Sequence, residues 1–163
     1  MLNIEFGCGE SPTWPGAKTC DIRPLSGVTY VCPAWEIDIH VAPGSVDGVF
    51  SRHFFEHLTF PQGARTLTVW HRILKPGGVC EIVVPNMEFH IQQWLQRKTR
   101  KEFAHACAGF WGWQRGAETD IWDIHKSGYD FQLLSDALTT AGFRNVVQMG
   151  DLCGPHLHVT CVK

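Results

Sequence analysis

Histidine is the side chain that exchanges a proton near neutral pH, and this chain of 163 residues carries nine of them. His53 and His57 stand four residues apart, with Glu56 beside the second. If residues 52–58 are helical, that spacing puts both imidazoles on one helix face. His53 then reads as a general base lining an active site, and His57 more as a structural residue at a helix start. A metal ion held by this pair would want a third ligand, and none is apparent, so no metal site is expected. His125 lies further on, in the stretch "DIWDIHKSGYD", and is the second candidate for catalysis. Tyr129 follows as a weaker candidate, and Asp130 suits the cap of a helix starting near Phe131. Trp111, Trp113 and Trp122 could wall a substrate or stack on a sugar ring. They could equally fill a core beneath a long loop. His156 and His158 alternate along a strand and share one sheet face, which suits a surface role.

A second chemical signal stands near the N-terminus. "FGCGE", Phe6 to Glu10, directly follows the short apolar run "LNI". A strand that empties into Gly-x-Gly makes room for a ligand or a tight turn. A phosphate loop would need Gly-x-x-x-x-Gly-Lys-Ser/Thr, which is absent. A dinucleotide fingerprint would need a third glycine where Pro12 stands, and an acid about 20 residues beyond the motif. The first acid at a strand end is nearer, at Asp21. A carboxylate there can accept two hydrogen bonds from the vicinal hydroxyls of a ribose.

The elements that must position these residues read as follows. Strand signals cover Leu2 to Phe6, Ala17 to Ile22, Gly27 to Cys32 and Val46 to Ser51. Helical spacing runs from Gln62 to Leu74, where Ala64, Leu67, Trp70, Ile73 and Leu74 recur at three and four residues. Lys75-Pro76-Gly77-Gly78 ends that helix, and "VCEIVVP", Val79 to Pro85, is a fifth strand. Met87 to Lys101 predicts one helix, and residues 101–126 an irregular, aromatic-rich insert. Phe131 to Ala141 predicts another helix, capped by Gly142. "RNVVQMG" and "HLHVTCVK" close the chain as antiparallel strands. Strands alternating with helices imply an α/β domain with a mainly parallel sheet, and a ligand crevice at the carboxyl ends of its strands.

With the motifs in place, the chain resembles the class I S-adenosylmethionine-dependent methyltransferases. The resemblance rests on "LNIEFGCGE", Asp21-Ile22, "SVDGVFSRHFFEHL", "WHRILKPGGVCEIVVPN" and "LLSDALTTAGFRNV", whose order and spacing span nearly the whole chain. It implies one Rossmann-like, doubly wound domain over 1–163: a seven-stranded, mainly parallel sheet with an antiparallel C-terminal strand and helices on both faces. It implies S-adenosyl-L-methionine as cofactor and S-adenosyl-L-homocysteine as product. Phe6, Gly7, Cys8 and Gly9 match the loop under the amino-acid end of the cofactor. There a Cβ in place of a glycine hydrogen would strike the ligand. Asp21 matches the acid on the ribose, and Ile22 the apolar neighbour of the adenine. Ser51, Arg52 and His53 match the segment facing the methionine portion. The segment around His125, Tyr129 and the tryptophans matches the acceptor side.

Two departures follow. Pro33 stands where the family commonly has an acid for the adenine amine. Adenine must then rely on the backbone of Ala34 and Trp35 and on stacking, at a cost of about 0.5–1.5 kcal/mol for a lost hydrogen bond. No helix precedes the first strand, so the aromatic insert or a partner subunit is expected to cover the site, if anything does. The narrower resemblance is to compact methyltransferases, some associated with surface glycans. It suggests transfer to an O or N atom of a small molecule, with a glycan precursor as one acceptor. The alternative is an inactive methyltransferase-like interaction domain. A nicotinamide oxidoreductase is a third reading, against which Pro12 argues.

Composition fits these readings. Hydrophobic residues make up 44% and charged residues 18%, with a net charge of -2. The only basic run, Arg97 to Lys101, suits a solvated helix end, and no nucleic-acid partner is expected. No apolar run approaches the roughly 20 residues that span a bilayer, and no signal peptide is recognisable. Seven cysteines without a Cys-x-x-Cys suggest free thiols in a reducing cytoplasm. A homodimer is a further expectation, because an exposed aromatic insert needs covering.

Overall fold

Alternation along the first strand places the core. In β1 (Asn3–Phe6), Ile4 and Phe6 point to one side and are fully buried. Glu5 points to the other, where its carboxylate accepts from the backbone N–H groups of Thr13 and Trp14 at 2.9 and 2.8 Å. The same alternation extends across β2 (Lys18–Asp21), β3 (Tyr30–Val31), β4 (Val46–Arg52), β5 (Leu74–Pro85), β6 (Arg144–Met149) and β7 (His156–Val162). In this computed structural model, which describes residues 1–114 and 121–163, the strands form one seven-stranded sheet. Its order is β3-β2-β1-β4-β5-β7-β6, with β7 antiparallel to β5 and β6 and the first five strands parallel. The chain reverses direction across the sheet between β1 and β4. A crevice therefore opens at the carboxyl ends of these strands.

Helix α1 (Phe60–Ile73) connects β4 to β5. Its Thr59 and Gln62 form a reciprocal capping box, and Pro61 sits in its first turn. Its inner face carries Leu67, Trp70 and Ile73, and Trp70 packs on Phe6 with ring centroids 4.6 Å apart. Thr59→Ala should cost about 1 kcal/mol, the usual value of an N-cap. Urea unfolding with an unchanged m-value would register it, and an unaltered midpoint would show that tertiary packing alone sets this end.

Helix α4 (Phe131–Thr140), capped by Asp130 through the Leu133 N–H at 2.7 Å, covers the same sheet face. So does the 3-10 turn Ala34–Ile39. The opposite face carries Phe50, Arg52, Glu81, Val83 and His158, and no helix packs on it among the described residues. The expectation of helices on both faces is thus met on one face only. The connections that would supply the second layer, 7–17 and 22–29, are short and interrupted by Pro12, Pro15, Gly16, Pro24 and Gly27. Trp14 packs edge-on against Phe50 in their stead.

Three further expectations are corrected. Met87 to Lys101 is not one helix but two, α2 (Met87–Gln96) and α3 (Arg100–Trp111). Thr99 and Glu102 form a second capping box that starts α3, so the chain is helical well beyond residue 101. Residues 52–58 are not a helix. His53 takes a left-handed φ of 49°, and only Phe55–His57 makes a 3-10 turn. β5 starts at Leu74, its pairing with β4 interrupted by a bulge before Val79. No helix of the described residues is long and apolar enough to cross a membrane.

Candidate functional site

Gly7 and Gly9 turn the chain sharply after β1, with φ of 66° and 56°. The Gly7 N–H donates to Cys20 O at 2.8 Å, and the Gly9 N–H to Asp21 Oδ2 at 3.0 Å. Asp21, at the end of β2, is 6% exposed. Burial pushes its carboxyl up. Hydrogen bonds from the Arg23 side chain and from the Arg23 and Gly9 backbones outweigh this and hold it below the usual value. Beside Asp21 opens a cleft of about 840 Å³, partly open to solvent, reached by Ile22, Pro33, Ala34, Trp35 and Trp122. Trp122 carries the Arg23 guanidinium over its ring at 5.5 Å.

The residues singled out in the sequence divide here. Gly7, Asp21, Ile22, Pro33, Ala34 and Trp35 line the cleft. Gly9 stands behind it, tied to Asp21. Phe6 belongs to the core, and Cys8 is buried beside the turn. Ser51 is fully buried, and its hydroxyl has no hydrogen-bond partner among the described residues. Arg52 points to the opposite sheet face, because strand alternation separates it from Ser51. Arg23, Phe54, His57, Leu58 and Lys126 also line the cleft. Of these, the sequence singled out only His57.

A second cavity, of about 690 Å³, lies past His57, which lines both. Six of the nine histidines surround it: His53, His57, His90, His105, His125 and His156. At its wall Glu56 is 1% exposed. Glu56 Oε1 lies 3.2 Å from His53 Nδ1 and 3.9 Å from His125 Nε2, while Oε2 has no partner among the described residues. The Glu56 carbonyl accepts the N–H groups of Lys126 and Ser127, clipping the 121–129 segment to the end of β4. His57 Nδ1 lies 3.1 Å from Ile124 O, and His125 Nδ1 3.0 Å from Gly109 O. A carbonyl only accepts, so each Nδ1 carries the proton, and in the neutral ring Nε2 keeps a lone pair. Burial lowers the pKa of His90 to about 4 and also lowers those of His125 and His156. His90 and His105, from α2 and α3, are histidines of this cavity that sequence reasoning missed.

The aromatic candidates part company. Trp113 lines the histidine cavity and Trp122 the first cleft. Trp111 is half exposed against Trp94. Tyr129 lines neither cavity. It is 2% exposed, wedged between Phe55 and Phe60 in the core, because the bridge from Asn86 to Tyr129 draws it under α1. Residues 115–120 of the expected insert lie outside the described residues.

The cleft thus sets an apolar slot (Pro33, Ala34, Trp35) beside a buried carboxylate, Asp21. Comparison with known proteins bears on the fold. The family model described as a methyltransferase domain matches residues 15–82. No curated protein matches the sequence. Among solved structures, a SAM-dependent methyltransferase from Archaeoglobus fulgidus aligns with a TM-score of 0.64 at 16% identity, covering 99% of this chain and 86% of that one. The 1,6-didemethyltoxoflavin-N1-methyltransferase of Burkholderia thailandensis, solved with its namesake compound and S-adenosylhomocysteine, aligns at 0.61 and 14% identity, covering 99% and 70%. Human N-acetylserotonin methyltransferase, solved with SAM, aligns at 0.62 and 10% identity, covering 99% of this chain but 47% of its own. The chain is thus similar over residues 15–82 to the methyltransferase domain family, and it shares the Rossmann-like fold of the SAM-dependent methyltransferases with which it aligns.

Proposed function

We propose that the protein transfers a methyl group to an O or N atom of a small molecule held in the histidine-lined cavity. The observation that carries this reading is the adjacency of the two cavities, both lined by His57, with a cleft beside the Asp21 carboxylate on one side and a carboxylate-held histidine on the other. When bound, S-adenosylmethionine supplies a methyl group activated on a sulfonium. The protein then has to align an acceptor and exclude water, which can supply roughly 7–11 kcal/mol of the barrier.

Asp21 receives the ribose hydroxyls, and Ile22 and Trp35 flank the adenine. Pro33 offers neither side-chain acceptor nor N–H, so the adenine edge falls to the backbone of Ala34 and Trp35. The amides of a first helical turn have no partner within the turn and are suited to that role. The Gly7–Gly9 turn holds the amino-acid end. His53 acts as base: Glu56 Oε1 fixes its Nδ1–H, which leaves Nε2 to take the proton of a hydroxyl acceptor. Trp113 offers a ring face on which a sugar, as in a glycan precursor, can stack. A reducing cytoplasm is the compartment we propose. Cys20 and Cys32 are free thiols there, their sulfurs in hydrogen-bond contact at 3.8 Å.

Calorimetric titration with S-adenosylhomocysteine, with NADH as control, tests the reading. Micromolar binding of the former and none of the latter is the expected result. No binding at millimolar ligand would overturn it in favour of an inactive interaction domain.

A further inference from the structure

Glu56 is 1% exposed and its Oε2 has no partner among the described residues. A buried carboxylate in that state is costly unless a cation faces it. Three imidazoles stand around it: His53 is hydrogen-bonded to Oε1, and His57 and His125 lie beside it. One donor atom from each of Glu56, His57 and His125 lies within 4.8 Å of the others. We propose that Glu56, His57 and His125 bind a divalent first-row transition ion, of which zinc is the probe.

Three features of the site support this. The donor set is two imidazoles and one carboxylate, the set that zinc and iron accept, whereas magnesium and calcium prefer oxygen alone. The imidazoles are already oriented. Nδ1 of His57 is anchored on Ile124 O and Nδ1 of His125 on Gly109 O, the backbone anchoring that commonly fixes the tautomer of a metal-bound histidine. Glu56 is itself steadied, since His53 Nδ1 donates to Oε1. Zinc bonds of about 2.0–2.2 Å need donor atoms about 3.3 Å apart, so closure requires side-chain movements of about an ångström. The ligands come from two segments that the sequence keeps 68 residues apart, and the hydrogen bonds of Lys126 and Ser127 to the Glu56 carbonyl join them.

Three protein ligands leave coordination positions open. They face the histidine-lined cavity. An acceptor with an oxygen or nitrogen donor could complete the coordination there. That last link rests on the methyl-transfer reading. The metal site does not, so titration with metal and titration with S-adenosylhomocysteine can fail independently.

The test uses tag-free, chelator-treated protein titrated with cobalt(II), followed by displacement with zinc. The expected result is one ion per chain, the visible absorption of cobalt held by nitrogen and oxygen donors, and a zinc-dependent rise in Tm. His125→Asn should weaken zinc binding at least about 100-fold and abolish the Tm rise, since a catalytic-type zinc site depends on all three ligands. His40→Asn, away from the cavity, should leave both unchanged. Glu56→Gln should behave as His125→Asn does. Because it alters a buried charge, the decision rests on His125→Asn, verified as folded by circular dichroism. No binding at about 1 mM metal, or equal binding by wild type and His125→Asn, overturns the proposal.

Discussion

Gly7→Ala is expected to destabilise the protein by roughly 2–5 kcal/mol, the sum of a left-handed backbone cost of about 1–2 and an overpacking cost of about 1–3. Gly7 has φ of 66°, which a Cβ disfavours. A Cβ built there would lie 2.2 Å from Phe54 Cδ2, 2.3 Å from Cγ and 2.5 Å from Cβ. The Phe54 Cβ is fixed to its backbone, so no rotation of the ring removes the whole clash. Gly9 is an internal control. Its φ is 56°, but an added Cβ meets only the flexible end of Arg23, at 3.5 Å. Gly9→Ala should therefore cost the conformational part alone. In a Phe54→Gly background the cost of Gly7→Ala should fall to that same level. Urea unfolding of the four variants measures all of this. A neutral Gly7→Ala, or a cost unmoved by Phe54→Gly, would mean that Phe54 does not enforce the glycine.

That result bears on how the glycine motif is read. From sequence, the need for glycine falls on the ligand. In the structure the atom that a Gly7 Cβ would strike belongs to Phe54, on the segment after β4. The turn is shaped by its own protein first, and the cleft beside it follows from that shape.

Local patterns carried most of the architecture. Apolar runs gave the parallel strands, three-and-four spacing gave α1, and Gly142 correctly marked the end of α4. The Thr99–Glu102 capping box is equally local, and it marks the break between α2 and α3 that the single helix over 87–101 overlooks. Other features had no local signal. Arg52 and Ser51 alternate along β4, and which of the two faces is covered by helices is set by tertiary packing. Tyr129 looked like a site residue among polar neighbours, and only its bridge to Asn86 puts it in the core. The histidine cavity is the strongest case. His90 and His105 come from α2 and α3, and His125 reaches Glu56 across 69 residues of chain. Such spacings follow no periodicity, and only tertiary packing reveals them.

Asp21→Ala is expected to weaken S-adenosylhomocysteine binding at least about tenfold, or about 1.4 kcal/mol, while the protein stays folded. Asp21 Oδ1 accepts from the Arg23 N–H at 2.9 Å and Arg23 Nε at 3.2 Å. Oδ2 accepts from the Gly9 N–H at 3.0 Å and Arg23 Nη2 at 3.4 Å. A carboxylate offers about four lone-pair sites, so all are engaged. A ribose diol must displace a donor, and the side-chain bonds of Arg23 are the ones that can move, with that side chain 33% exposed. Arg23→Ala should therefore leave affinity unchanged or raise it, the reverse of Asp21→Ala. The pH dependence has a definite sign. The folded-state pKa of Asp21 is depressed, so its contribution to stability is present above its ordinary value and is lost as pH falls through the lowered one. Asp21 stays ionised at neutrality, and the difference in affinity between wild type and Asp21→Ala should be constant from about pH 6 to 8. Calorimetry of wild type, Asp21→Ala and Arg23→Ala at several pH values tests the assignment. Equal loss in both variants would mean that the ion pair, and not the carboxylate alone, holds the ribose. Unchanged affinity in Asp21→Ala would place the ribose elsewhere.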